Sequence, residues 1–263
     1  MLKKRGLYLV ISLFLIFILI VVFGSSKQKN EMQAREVAST IDLDDKPIKV
    51  INFFGDSITE QGRFIDTVLK ITGASESINN GDSGTSYAKA NKSNEWDWES
   101  PDRNYTRSFV DRISKANLDG DVIVLFGGTN DYGKGVEIGN KESTDVTTFF
   151  GAVKETITIA KTRNKEAEII IVTPLQRDQL NGTRGIEENK AGHSLEDYSN
   201  ALKIIAKDEN LPIVDLFNSD IISINKKGEN SDVLTNTEDG LHPNKNGGIK
   251  IGQEISKTIT SLE

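Results

Sequence analysis

Cysteine is absent from this chain of 263 residues, and histidine occurs only at His193 and His242. Without cysteine there is no disulfide, no thiolate catalysis, no Cys-ligated zinc or iron–sulfur cluster, and no lipid-modified N-terminal Cys. Two histidines also exclude a metal site built from several imidazole ligands. We therefore expect chemistry that uses neither a metal nor another cofactor.

Basic residues are also in short supply. Lys and Arg number 32 against 39 Asp and Glu, which gives a formal net charge of −7 at pH 7. Three of the basic residues, Lys3, Lys4 and Arg5, precede residue 24 without any acidic residue beside them, so the rest of the chain is more acidic still. Binding to nucleic acid needs Lys and Arg clustered against the phosphates. The composition thus predicts no nucleic-acid partner.

An uncharged apolar run covers residues 7–23, directly after this basic cluster. The apolar region of a cleaved signal peptide is usually about 7–15 residues long, and a membrane span needs about 17–25. The length of the run favours a retained anchor over a cleaved signal peptide. Because the basic flank stays inside, the chain after residue 24 should lie outside the cytoplasmic membrane, or be secreted if the segment is cleaved.

The composition predicts three parts of the chain. Residues 1–24 are the anchor or signal peptide, and only residues 7–23 are expected to contact the membrane. Residues 25–46 are polar with little periodicity, which is typical of a stalk. Residues 47–263 form a single folded domain, which is long enough to bury a substantial core.

Strands and helices alternate in the folded part. The predicted strands are residues 48–54, 77–79, 121–126, 167–172 and 211–217. The predicted helices are residues 62–71, 104–116, 144–162, 195–207 and 246–259. Apolar strands separated by helices indicate an α/β fold with a parallel sheet and helices on both faces. Sites on such sheets lie at the carboxyl ends of the strands, where this sequence places its polar clusters.

A candidate nucleophile, Ser57, follows Gly55 and Asp56 at the end of the first predicted strand. Gly55 permits a tight turn, and the N–H groups of the following helix point toward the site. Serine is a weak nucleophile unless a neighbouring base takes its proton. Considered alone, Ser57 is better explained as a helix N-cap, because serine is a preferred residue there.

A candidate base, His242, lies three residues after Asp239. In a turn, this spacing lets the carboxylate reach the imidazole Nδ1–H and leaves Nε2 for the serine. An isolated Asp-x-x-His is most often a surface pair. The stabilisation of a tetrahedral intermediate needs N–H donors in addition, and the backbone of Gly84 and the side-chain amide of Asn130 offer them. Each of these two residues could alone be a turn former.

The order of four short blocks is more specific than any one of them. GDSI at 55–58, N-x-G-x-x-G at 79–84, GTND at 128–131 and DGLH at 239–242 together resemble the SGNH hydrolases, the GDSL-type esterase superfamily. The blocks differ from the usual pattern only at Ile58, where leucine is common.

The resemblance implies a role for each matching residue. Ser57 is the nucleophile, His242 the base and Asp239 its orienting partner. The oxyanion donors are the N–H groups of Ser57 and Gly84 and the amide of Asn130. The resemblance also implies a flavodoxin-like, three-layer α/β/α sandwich around a central parallel sheet.

Three further polar residues are interpreted as structural. Asp56 and Asp131 flank the implied catalytic positions and are expected to hold loops through hydrogen bonds to the backbone. His193 has no carboxylate three residues before it and precedes a predicted helix start. A capping or rim role is therefore expected for His193.

Substrate candidates come from two polar loops. Residues 85–107 contain both tryptophans, Trp96 and Trp98, and residues 176–192 form the second loop. Long loops at a strand-end face often carry function, and aromatic faces among polar groups suit sugar rings. We therefore take Trp96 and Trp98 as candidate substrate-binding residues, although Trp98 could equally pack its loop against the domain.

These features predict an exported serine esterase that removes acetyl or other short acyl groups from a carbohydrate or another small ester. Several alternatives stay open. The same triad serves an O-acyltransferase, and a lipid esterase, lysophospholipase or thioesterase is a rival within the hydrolases. A lipid esterase would want a more apolar rim than residues 85–107 provide. A non-catalytic binding protein on a hydrolase fold is the third class.

Overall fold

Five parallel strands form the central sheet of the computed structural model, which describes residues 47–90, 107–178, 185–222 and 233–262. Their spatial order is β2-β1-β3-β4-β5, and each neighbouring pair is parallel. This is the flavodoxin-like order. The strands are β1 Val50–Gly55, β2 Glu76–Gly81, β3 Val122–Phe126, β4 Glu168–Val172 and β5 Ile213–Val214.

Helices cover both faces of this sheet. On one face α2 and α8 pack against the strands, and on the other face α3, α5 and α6 do so. The three-layer α/β/α prediction is therefore confirmed. Within the described ranges, the helices are α1 Ser57–Gln61, α2 Ile65–Thr72, α3 Phe109–Ile113, α4 Thr129–Lys134, α5 Phe149–Arg163, α6 Leu195–Asp208, α7 Val233–Asn236 and α8 Lys245–Thr260.

Strand β3 shows why the strands appear in the sequence as continuous apolar runs. Val122, Val124 and Phe126 pack into the core on the α2 and α8 side. Ile123 and Leu125 pack into the core on the opposite side, and all five side chains are buried. A strand between two helical layers has no solvent face, so it gains from an apolar side chain at every position.

Several predicted elements are shorter than the sequence indicates. Of the helix predicted at 104–116, the described part is helical only over Phe109–Ile113. The strand predicted at 211–217 ends at Val214, because the chain turns there and the Leu216 N–H donates to the Val214 carbonyl. The helix predicted at 144–162 begins only at Phe149. Thr148 is its N-cap and accepts a hydrogen bond from the Gly151 N–H.

Three short helices, α1, α4 and α7, were not predicted. Helix α4 shows why, because its six residues include an asparagine, an aspartate and a glycine, which are poor helix formers. The hydrogen bonds that its side chains make to distant residues, given below, stabilise it instead.

Several predictions fall on residues outside the described ranges. The chain divides after Lys46, and Pro47–Glu263 is one compact unit. The predicted anchor at 1–24 and the predicted stalk at 25–46 precede it and stay predictions. Among the described residues, no helix is long and apolar enough to cross a membrane.

Candidate active site

The site lies where the strand order changes direction, at the carboxyl ends of β1 and β3. Gly55 ends β1 in a place with no room for a side chain. A Cβ there would lie 2.0 Å from the Thr59 hydroxyl and 2.6 Å from the Phe126 carbonyl oxygen. Glycine at position 55 therefore lets α1 start directly against the sheet.

Asp56 caps α1, and Ser57 is the first residue of that helix. The Asp56 carboxylate accepts a hydrogen bond of 3.0 Å from the Ile58 N–H. The alternative interpretation of Ser57 as the cap is therefore wrong, because Asp56 already fills that role. The Ser57 Oγ instead lies 3.0 Å from Nε2 of His242.

His242 is oriented by Asp239, as the spacing predicts. The distance from its Nδ1 to Asp239 Oδ2 is 2.8 Å. The other carboxylate oxygen accepts from the backbone N–H groups of Leu241, at 2.9 Å, and His242, at 2.7 Å. Partial burial alone would raise the pKa of Asp239, but the hydrogen bonds from His242 and Leu241 lower it below its usual value. Asp239 is therefore an anion at neutral pH.

The segment that carries this pair, residues 237–244, is here called the His242 loop. It is held mainly by hydrogen bonds between its own residues. Gly240 has a φ of +85°, in the left-handed region, and its N–H donates to the Thr237 hydroxyl at 2.9 Å. The Glu238 N–H donates to the His242 carbonyl, and Asn244 caps α8. Contacts from outside the loop include the Asp178 N–H, which donates to the Gly240 carbonyl at 3.0 Å, and the Arg63 guanidinium, which lies 2.6 Å from a Glu238 carboxylate oxygen.

The two predicted oxyanion residues lie beside one another. Gly84 has a φ of +74°, a conformation that side-chain-bearing residues rarely adopt. The Asn130 amide donates to the carbonyl of Thr85, the next residue, at 2.9 Å. A primary amide carries two N–H donors, so this bond leaves the second one for a ligand.

Helix α4 holds residues 84–88, here called the Gly84 loop, through three of its side chains. Besides Asn130, Asp131 accepts from the N–H groups of Tyr87 and Ala88, both at 3.0 Å. Lys134 donates to the Ser86 hydroxyl at 3.1 Å. Asp131 and Lys134 are both buried, so these bonds form away from water. Asp56 and Asp131 thus make the backbone hydrogen bonds that were expected of them.

Burial changes the charge behaviour of both carboxyls. It raises the pKa of Asp56 to about 6 and that of Asp131 to about 6, although backbone hydrogen bonds act in the opposite direction. His242 is one of the charges that lower the pKa of Asp56. Both carboxyls therefore bind a proton more readily than an exposed aspartate does.

Two arginines complete the site, and neither belongs to a motif that is visible in the sequence. Arg112, on α3, donates to the Gly55 carbonyl and to the Thr85 hydroxyl, both at 3.0 Å. Its guanidinium also lies 4.7 Å above the Phe54 ring. Arg112 thus ties the end of β1 to the Gly84 loop.

Arg177 follows β4 and is 4 % exposed. It donates to the carbonyl and the hydroxyl of Thr129, at 3.1 and 3.0 Å, and its guanidinium lies 5.2 Å above the Tyr132 ring. Neither arginine stands out in the sequence, because the hydrogen-bond partners of their side chains named above are 27 or more residues away.

His193 lies beside the start of α6. Its Nε2 is 3.6 Å from a Glu137 carboxylate oxygen, and its ring is edge-on to Tyr198. Ser194, the next residue, forms a capping box with Asp197. The ring of His193 therefore makes rim contacts, as expected, while Ser194 caps the helix.

The candidate sugar-binding residues, Trp96 and Trp98, lie outside the described residues, as do 179–184 of the second polar loop. Their role stays a prediction. Within the described ranges, no group of three or more His, Asp or Glu side chains is arranged to hold a metal ion.

Comparisons with known proteins indicate one family and one fold. The family model for GDSL-like lipases and acylhydrolases matches residues 53–248, an interval that includes all four sequence blocks. The comparison with curated proteins finds no match.

Solved structures share the fold at low sequence identity. A possible lipase from Chitinophaga pinensis is 23 % identical, with a TM-score of 0.62 over 81 % of this chain and 98 % of its own. A GDSL-like lipase from Bacteroides thetaiotaomicron is 20 % identical, with a TM-score of 0.58 over 82 % and 89 %. An acetyl xylan esterase is 22 % identical, with a TM-score of 0.50 over 80 % and 99 %.

Proposed function

Because the chain belongs to the GDSL-like lipase/acylhydrolase family and is a carboxylic ester hydrolase, we propose that it is a serine esterase for acetyl or other short acyl groups on a carbohydrate. Ser57 is the proposed nucleophile, His242 the base and Asp239 its orienting partner. The observation that carries this proposal is the continuous chain of contacts from Ser57 Oγ to His242, at 3.0 Å, and on to Asp239, at 2.8 Å.

The first step is attack on the ester carbonyl. Asp239 accepts a hydrogen bond from the Nδ1–H of His242, which leaves the lone pair of Nε2 facing the serine hydroxyl. As Oγ bonds to the carbonyl carbon, its proton moves to Nε2. The imidazolium that forms is stabilised by Asp239 and by the nearby Asp56 carboxylate.

The carbonyl oxygen becomes an anion in this step and needs N–H donors. We assign these to the backbone of Ser57 and Gly84 and to the second amide hydrogen of Asn130. The intermediate then collapses, and the imidazolium gives its proton to the leaving sugar oxygen. Water, activated by the same histidine, hydrolyses the acyl-serine and releases the carboxylic acid.

The proposed acyl group is short because the loops expected beside the site are polar. Each CH₂ of a longer chain gains about 0.8 kcal/mol only if it leaves water. Residues 85–107 and 176–192 offer few apolar side chains for that. The sugar would pack on Trp96 or Trp98, and the acetyl xylan esterase among the similar structures acts on a substrate of this class.

We further propose that residues 7–23 anchor the protein with its domain outside the cytoplasmic membrane. The support is the apolar run and its basic flank. If the segment is cleaved, the same domain is secreted. In either case the first acylated carbohydrates it meets are those of the cell surface.

A hydrolysis panel tests the proposal. The purified protein is assayed with p-nitrophenyl acetate, butyrate, hexanoate and octanoate and with acetylated xylan, beside the Ser57→Ala variant. We expect kcat/KM to be highest for acetate, to fall by butyrate or hexanoate, and to vanish in Ser57→Ala. A preference for octanoate would favour a lipid or thioester substrate, and an active Ser57→Ala protein would exclude Ser57 as the nucleophile.

A further inference from the structure

We propose that Arg177 is a positioning residue that holds both Asn130 and the Asp239–His242 pair in place. The inference rests on the proposed function, because it assumes that these residues act on the same ester. Arg177 is 4 % exposed. Burying a guanidinium costs much free energy unless its N–H groups are hydrogen-bonded and its charge is compensated. The partners of Arg177 therefore indicate which parts of the site it positions.

One set of partners lies on the oxyanion side. A single guanidinium nitrogen donates to both the carbonyl and the hydroxyl of Thr129, at 3.1 and 3.0 Å. Thr129 directly precedes Asn130 and is the first residue of α4. The guanidinium also covers the Tyr132 ring on the next turn of that helix. Arg177 therefore fixes the start of α4, which sets the direction of the Asn130 amide.

The second connection is to the base. The backbone N–H of Asp178, the adjacent residue, donates to the Gly240 carbonyl at 3.0 Å, in the centre of the His242 loop. Burial lowers the pKa of Arg177, while the charges of Tyr132, Asp56 and Asp239 act to raise it. The guanidinium charge is thus close enough to Asp239 to act on it electrostatically. Side chain and backbone at 177–178 join the two halves of the site.

This arrangement predicts an effect on kcat more than on KM. Asn130 and His242 both act on charges that develop in the transition state, so their displacement weakens that state without removing a ground-state contact. A misplacement of about 1 Å in such groups can cost about 10²-fold in rate. A purely structural arginine would lower stability and leave the kcat of the folded fraction unchanged.

The test compares Arg177→Met and Arg177→Lys with Arg163→Met on p-nitrophenyl acetate. Arg163 is the control, an exposed arginine whose guanidinium donates to the backbone carbonyls of Ile113 and Ala116 at the amino end of the sheet. We expect Arg177→Met to lower kcat about 10²-fold with KM within about threefold. Arg177→Lys should recover part of that loss because it keeps the charge. Arg163→Met should lower Tm and leave kcat near the wild-type value.

Two further measurements make every outcome informative. The rate of Ser57 labelling by a fluorophosphonate should fall in parallel with kcat, and it needs no knowledge of the natural substrate. In the double variant with Asn130→Ala, the Arg177→Met loss should be smaller than in the wild-type background, because the two changes act on one donor.

Three results would overturn the inference. In the first, Arg177→Met keeps the wild-type kcat and labelling rate, and in the second only its KM changes. In the third, the fold-losses of Arg177→Met and Asn130→Ala multiply fully in the double variant. If Arg177→Met does not fold, as judged by circular dichroism and melting, the same criteria apply to Arg177→Lys. An active Ser57→Ala protein contradicts the proposed function itself. If Ser57→Ala is inactive and the Arg177 variants have wild-type activity, only the role of Arg177 is contradicted.

Discussion

The Gly84 loop and the His242 loop bring residues to the same serine, but they are held in different ways. The Gly84 loop is fixed by side chains from other elements, including the fully buried Asp131 and the buried Lys134. The His242 loop is fixed mostly by bonds among its own residues, and the Asp239 side chain is 43 % exposed. The conformation of the Gly84 loop therefore depends on residues from other elements. The conformation of the His242 loop depends largely on its local sequence.

The difference shows where each half of the site is vulnerable. A change in the Gly84 loop or in α4 disturbs buried charges, and it should affect stability and catalysis together. A change in the His242 loop removes a chemical group from a partly solvated turn, and it should affect catalysis with little loss of stability. The following predictions test this contrast.

The largest effect is expected on the His242 side. His242→Ala should lower kcat/KM for p-nitrophenyl acetate by at least about 10⁴-fold, because Ser57 then has no base. Its Tm should stay within a few degrees of the wild type. His193→Ala is the control, since that ring contacts Glu137 and Tyr198 on the rim, and its activity should stay within about threefold. A crippling His193→Ala change would reverse the assignment of the two histidines.

The next effect is expected on the oxyanion side. Asn130→Ala should lower kcat by about 10²–10³-fold, the usual cost of one oxyanion donor, with a smaller change in KM. It should also lower the melting temperature, because the buried bond to the Thr85 carbonyl is lost. Steady-state kinetics and calorimetry measure the two parts. A change in KM alone would make Asn130 a substrate-binding residue.

The carboxylates that hold the two loops, Asp131 on α4 and Asp239 in the His242 loop, should respond to pH in opposite directions. Burial raises the pKa of Asp131 from 3.8 to about 6, so between about pH 4 and 6 the native state holds a proton that the unfolded chain has lost. The contribution of Asp131 to stability then falls as the pH rises through that window. Burial also acts on Asp239, but hydrogen bonds lower its pKa, so its contribution is lost as the pH falls below about 4.

Urea unfolding of the two asparagine variants measures this contrast. The free energy lost in Asp131→Asn should shrink as the pH is raised from 4 to 7. The free energy lost in Asp239→Asn should instead grow as the pH is raised from 2 to 5, and it should be the smaller of the two because Asp239 is partly exposed. If the free-energy losses of both variants change with pH in the same direction, the distinction between a buried and a solvated carboxylate is wrong.

No effect is expected from the removal of metal ions. Both loops are held by protein groups, and the proposed chemistry needs only Ser57, His242 and Asp239 with their N–H donors. Activity on p-nitrophenyl acetate should therefore survive dialysis against EDTA unchanged. A loss that a divalent ion restores would contradict this mechanism.

The contrast between the loops also explains what could be predicted from the sequence. The pair Asp239 and His242 is visible because its partners are three residues apart. The strands β1 and β3 are visible because burial on both faces leaves continuous apolar runs. Ser57, Gly84 and Asn130 were recognised from the order of short blocks, and the structure brings Ser57 within 3.0 Å of His242 and Asn130 to the residue beside Gly84.

Other features could not be predicted because their causes lie far away in the chain. Arg112 reaches a carbonyl 57 residues distant, and Arg177 reaches one 48 residues distant. Helix α4 forms in a sequence of low helical propensity because Asn130, Asp131 and Lys134 bond to the Gly84 loop. Strand β5 ends early because a turn at Val214 competes with the apolar run that follows.

The distance along the chain between Ser57 and His242 has a consequence for biosynthesis. The two residues are 185 positions apart, and His242 lies directly before the last helix, α8, whose apolar face packs into the core. On the proposed mechanism, a chain still attached to the ribosome presents Ser57 without His242 until nearly the whole domain has emerged and α8 has docked. We therefore expect esterase activity only from the finished fold, and none from a nascent chain or from one truncated before His242.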